Sequence, residues 1–171
     1  MGKEQLSSLI EQLNAATKQE RLAALAGIRT LIDAGEIPQP ARGKGVNNHI
    51  HTFYSFSPYS PAKAVYRSWD AGLMTTGIMD HDSISGAEEF IEAGKILGIA
   101  TTVGAELRAS FAGTLLDGKR VNNPDQHTVT YVAMHGIPHT AIAEVQKFFE
   151  PICAARGVRN RAMVARINEI L

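Results

Sequence analysis

The chain has 171 residues, 44% of them hydrophobic and 20% charged, a composition that suits an ordinary soluble globular protein with one good core and leaves too little for two independent domains. Seventeen lysines and arginines balance seventeen aspartates and glutamates, which excludes broad, charge-driven binding to nucleic acid or to anionic membranes. The single cysteine, Cys153, cannot form an internal disulfide, and neither a secretory leader nor an apolar run of membrane-spanning length is visible, so a cytoplasmic protein is expected.

In chain order, Leu6, Leu9, Ile10 and Leu13, then Leu22, Leu25, Ile28, Leu31 and Ile32 recur at helical spacing and predict two helices. Thr17 and Glu20 form a capping box that restarts the second, and Gly35 ends it. EIPQPARGKG reads as a linker, which sets off residues 1–37 as a helical extension from residues 38–171. VNNHIHT is a first strand. Ser60 and Pro61 then supply an N-cap and a first-turn proline for a helix through Trp69. LMTTGIMD is a buried strand, followed by a helix opened by a Ser85/Glu88 capping box and stopped at Gly98. IATTVGAEL is a third strand, AGTLLDGKRVNNPDQ a polar loop and HTVTYVAMH a fourth strand. A helix from about Thr140, bent at Pro151, leads to the amphipathic segment RNRAMVARINEIL.

Strands alternating with helices imply parallel β/α units and hence a partial or complete β/α barrel. In such barrels ligands gather at the C-terminal ends of the strands. Those ends carry His49/His51, Asp80/His81, Glu106 and His135. Four units leave a sheet edge and apolar helix positions such as Phe148, Phe149 and Ile152 in need of cover, from the N-terminal helices or from a second chain.

Residues two apart on a strand share a face, so His49 and His51 can reach one point in space, a geometry for holding a metal ion. Taken alone, the pair is equally well read as two polar residues ending a strand. His81 stands between carboxylates, and one of them can orient its imidazole by accepting the second N–H; Asp82 reads better as a cap for the next turn. Glu106 follows an apolar strand, where a lone carboxylate is costly to bury unless paired or metal-bound, although an exposed pairing with Arg108 also fits.

HIHTFYS, GLMTTGIMDHDSISGAEEFIEAGKILGI and TTVGAEL, taken together, resemble successive motifs of the PHP family, named for polymerase and histidinol phosphatase: H-x-H-[ST]-x-x-S, a strand ending in D-H-[DG], and G-x-E-[LIF]. The resemblance runs from about Asn47 to His135. It implies a distorted β/α barrel whose rim holds two or three divalent ions, Zn, Mn or Fe, and hydrolyses phosphoesters of a small metabolite or nucleotide with a metal-activated hydroxide. Carried over by position, His49 and His51 would bind one metal, Glu106 would bridge to a second, and His81 would serve a further site with Asp80 beside it, Asp80 and His81 being the catalytic pair. The fourth motif would supply either His127 or His135, the strand-end position favouring the latter. Arg108, then Arg159 and Arg161, are candidates to clamp the phosphate.

The sequence departs from the family in two places. Ser55 is followed by Phe56-Ser57-Pro58 instead of an acidic residue or histidine, and no histidine follows His139. The expectation is therefore the N-terminal part of a PHP-like domain, completed by a missing C-terminal segment or by a homodimer, with a small phosphorylated substrate and an incomplete catalytic centre. The alternatives are a non-catalytic PHP-like binding or assembly module, and an amidohydrolase-like metal hydrolase.

Overall fold

A computed structural model describes residues 2–171. The elements in order are α1 (Gly2–Gln12), α2 (Lys18–Asp33), β1 (Val46–Ile50), α3 (Pro61–Asp70), β2 (Thr75–His81), α4 (Ala87–Leu97), β3 (Ala100–Ser110), β4 (Val129–His135), a 3₁₀ turn at His139–Ala141 and α5 (Ile142–Ile170). The strands form one open, curled sheet in the order β1-β2-β3-β4, half of a barrel preceded by the N-terminal helices. None of the described helices is long and apolar enough to cross a membrane.

Local sequence sets most of the boundaries. Thr17 and Glu20 make the reciprocal capping box at the start of α2. Ser60 accepts the Lys63 N–H, with Pro61 in the first turn of α3. Gly98 closes α4 at φ 67°, a left-handed conformation that a side chain would strain. The Ser85/Glu88 box does not form: Gly86 is the N-cap of α4 without a side-chain bond, because the Ser85 hydroxyl instead donates to Gln146 on α5 at 3.3 Å. Pro151 lies inside a single continuous α5.

The strands β1, β2 and β3 are parallel, as α3 and α4 require, but β4 pairs with β3 antiparallel, Ser110 opposite Val129 and Gly104 opposite His135. Residues 111–128 contain no helix to carry the chain back across the sheet, so it simply turns and returns beside β3. This reverses the expected direction of the fourth strand. Gly104 permits the close approach, since a Cβ there would meet the Met134 carbonyl and the Met79 side chain.

The core joins α2, α3, α4 and the sheet through Leu25, Ile28, Val65, Ile78, Phe90 and Leu97, and Leu13 at the α1–α2 turn enters it too. One charged pair is buried with them. The Arg21 guanidinium donates to both Glu89 carboxylate oxygens at 2.8 and 2.5 Å and to the Ala15 and Ala16 carbonyls, while Glu89 also accepts the Ala62 N–H. Such a pair is tolerable in the interior because its hydrogen-bonding capacity is used. It ties the N-terminal helices to α3 and α4. Of the α5 positions expected to lack cover, Phe149 is fully buried and Ile152 half-buried, whereas Phe148 stays exposed.

Candidate metal centre

The parallel strands bring the ends of β1 and β2 together with Glu106, which lies inside β3 because that strand continues to Ser110. Between Asn47 and Ile50, β1 carries two residues where β2 carries one, a bulge of the kind that re-aims side chains. His49 lies in it, its N–H held by the Asn47 side chain at 3.1 Å. His51 follows the strand, and His81 and Glu106 are register partners on β2 and β3. The result is three imidazoles around one carboxylate oxygen: Glu106 Oε2 lies 3.0 Å from His49 Nε2, 3.8 Å from His51 Nε2 and 3.6 Å from His81 Nε2.

Among the described residues, His49, His51 and Glu106 form a group whose ligand atoms all lie within 4.8 Å of one another. Glu106 Oε2 stands 3.0 and 3.8 Å from the two imidazole nitrogens, on either side of the roughly 3.3–3.6 Å that separates ligands about 2.0–2.2 Å from a tetrahedral ion. The donor set of two imidazoles and a carboxylate suits one divalent transition metal. Burial, with the His81 and His49 rings close by, holds the His51 pKa below its ordinary value. A neutral imidazole is the form that ligates a metal.

Asp80 lies fully buried beneath the cluster, and burial pushes its carboxyl above the usual range against the opposing pull of Thr52 and the neighbouring histidines. It accepts the Thr52 N–H and hydroxyl, each at 2.6 Å. Thr52 is thus an anchor that fixes the segment just after His51 to the strand tip carrying His81. The sequence did carry this signal, in the fourth position of H-x-H-[ST]. The Ser55 hydroxyl accepts the His81 N–H at 3.2 Å.

The remaining predicted residues fall elsewhere. Because β4 runs antiparallel, His135 lies at the end opposite Gly104, two positions back along β3 from Glu106, and is exposed. His127 sits on the exposed approach to β4. Neither belongs to the His49/His51/Glu106 group. Arg108 and Arg159 line an open cleft of about 550 Å³ together with Asp82 and Arg156. Arg108 lies over the Tyr131 ring and donates to Gln126. Arg161 is exposed farther along α5.

Arg156 escaped the sequence reading. Its Nη1 donates to the His81 carbonyl and to Asp82 Oδ2, both at 3.1 Å, and the Cys153 thiol donates to the Asp82 carbonyl at 3.0 Å. These bonds hold Asp82 at φ 50°, a conformation Asp tolerates better than most residues. Nothing local in the helical pattern of α5 marks Arg156, whose role depends on the docking of α5 against the tip of β2.

No protein-family model matches the chain. Among curated proteins, it is 32% identical over 65 residues to a 5'-3' exoribonuclease of Haemophilus influenzae, a match covering 38% of this chain and 24% of that protein. It is 39% identical over 66 residues to an error-prone DNA polymerase of Nocardia farcinica, covering 37% of this chain and 6% of the polymerase. The matches thus span about a quarter or less of these relatives. Among solved structures, a presumed metal-dependent phosphoesterase from Bifidobacterium adolescentis superposes with a TM-score of 0.56 at 23% identity over 77% of this chain and 40% of the other. The chain therefore has the fold of part of that protein.

Proposed function

We propose that this chain is the metal-binding part of a metal-dependent phosphoesterase of the PHP type, with His49, His51 and Glu106 as the ligands of one divalent ion. The observation that carries this reading is the convergence of those three ligand atoms within 4.8 Å of one another, from the end of β1 and from β3 across the intervening β2. The likeness in fold to a presumed metal-dependent phosphoesterase supports it. In this reading residues 1–37 are a helical extension and residues 38–171 the first part of the catalytic domain.

A bound divalent ion would supply Lewis-acid polarisation of a phosphoryl oxygen and a more acidic water. The protein's own groups do the rest. His81, 3.6 Å from the Glu106 carboxylate, is the residue around which a second ion would gather, with Asp80 holding the Thr52 segment beneath it. Arg108 and Arg159 face the cleft that Asp82 also lines and would receive the phosphate, whose charge and geometry suit guanidinium donors. The substrate is a small phosphorylated metabolite or nucleotide; the two curated relatives, an exoribonuclease and a DNA polymerase, favour the nucleotide. The balanced net charge speaks against a broad nucleic-acid surface.

A second reading, a non-catalytic assembly module completed by another segment or a second copy, is favoured by the openness of the half-barrel. Metal analysis separates a working site from none. The purified chain should carry one divalent transition metal, largely lost in His51→Ala; unchanged stoichiometry in that variant would overturn the site. With Mn²⁺ supplied, hydrolysis of p-nitrophenyl phosphate by the chain alone should be weak or absent, because the described cluster offers little beyond His81 for a second ion. Robust hydrolysis would mean that a second copy supplies the missing ligands.

A further inference from the structure

A histidine that ligates a metal is normally oriented by a hydrogen bond from its other ring nitrogen to a carboxylate, a carbonyl or water. Among the described residues no carboxylate or carbonyl does this for His51, whose Nδ1 is buried without a protein partner. The ring contacts of His51 are aromatic, His49 standing edge-on to it at 5.1 Å. The ring lies parallel to His81, with centroids 4.8 Å apart and an interplanar angle of 2°. Phe56 closes over both, 5.0 Å from His51 and 4.7 Å from His81, tilted 28° to each. Three aromatic rings thus make mutual contact, and Phe56 is the one with no donor atom. Its own position is set by the short turn after Thr52, where the Ser55 and Ser57 N–H groups both donate to the Thr52 carbonyl. That turn is anchored through Thr52 to Asp80.

We infer that Phe56 is a positioning residue for the metal centre, orienting the His51 and His81 imidazoles by stacking where no described residue hydrogen-bonds His51 Nδ1. The inference rests on the metal reading above and assigns a purpose to a residue standing where the resembling family usually has an acidic side chain or histidine. Stacked rings resist rotation about the Cβ–Cγ bond, and offset or tilted aromatic contacts at these separations are attractive. With Phe56 gone, His51 would keep its place on the backbone but lose the restraint on its ring. The cost would fall on metal affinity more than on the number of ions bound.

Phe56 is 74% exposed and belongs to no part of the hydrophobic core, so truncating it leaves the fold intact. The test is Zn²⁺ affinity by competition with a chromophoric chelator for wild type, Phe56→Ala and Phe56→Tyr. Imidazole ¹⁵N spectra of the metal-free proteins are recorded alongside. Phe56→Ala should bind Zn²⁺ roughly 3- to 10-fold more weakly, the size expected of one aromatic contact, at unchanged stoichiometry. The His51 and His81 ring resonances should shift, and Phe56→Tyr should restore both affinity and spectra. Wild-type affinity in Phe56→Ala, or no rescue by Phe56→Tyr, would overturn the role of Phe56 while leaving the metal site standing. A wild-type chain that takes up no Zn²⁺ would remove the metal site itself and this inference with it.

Discussion

The second helix and the last carry similar apolar residues and meet opposite fates. In α2, Leu25, Ile28, Leu31 and Ile32 are all buried against α3, α4 and the turn after α1. In α5, Phe149 is fully buried near the start, but Val158, Met163, Val164, Ile167 and Ile170 lie exposed. Helical spacing of apolar residues creates a face in both cases; only in the first does the described chain supply the surface that covers it. Stability is therefore concentrated in the α1–α4 layer, and α5 contributes mainly by what its first half touches. The candidate metal centre lies on the seam. Its imidazoles and carboxylate stand on strands held by the first region, while Arg156 and Arg159 reach in from the second.

The contrast can be broken most forcefully in the first region. Phe90, fully buried on α4, should cost about 4 kcal/mol of unfolding free energy when replaced by alanine, measured by urea denaturation; a loss below about 1 kcal/mol would show that the layer is not the core we describe. Glu89→Ala should cost about 3 kcal/mol because it leaves the Arg21 guanidinium buried without its partner. Replacing both residues, as Arg21→Met with Glu89→Leu, should recover most of that loss. On the seam, Arg156→Ala should cost only about 1 kcal/mol, since its pairing with Asp82 is partly solvated. At the far end Ile167→Ala should change stability by less than about 0.5 kcal/mol. A substantially larger effect there would mean that the second half of α5 is covered after all, for example by a second copy, and the loss would then depend on protein concentration.

The parts of this arrangement that depend on neighbours in sequence were legible in the sequence. The Thr17/Glu20 box, the Ser60-Pro61 start of α3 and the Gly98 stop are short-range devices, each complete within a few residues. The meeting of His49, His51 and His81 with Glu106 followed from parallel β/α alternation, although β3 runs past Glu106 to Ser110 where the strand was expected to end, because its pairing with β4 extends it. The direction of β4 did not, because alternation was extended past a loop with no crossover helix; the lack of a helix between β3 and β4 was the sign that the chain returns antiparallel. Ser85 looked like a cap because its spacing to Glu88 is right, yet a residue 61 positions away, Gln146, takes its hydroxyl. The Arg156 bonds to His81 and Asp82 and the stacking of Phe56 on His81 are likewise long-range products of folding, with no periodic signature to announce them.

In the proposed reading, His49, His51 and Glu106 hold one ion at the rim of an open half-barrel. Crystals of the chain soaked in ZnCl₂ and measured at the zinc absorption edge decide whether they do. An anomalous peak roughly 2.0–2.2 Å from His49 Nε2, His51 Nε2 and a Glu106 carboxylate oxygen is the predicted result. Crystals with full-strength zinc peaks only elsewhere, or with none, would contradict it.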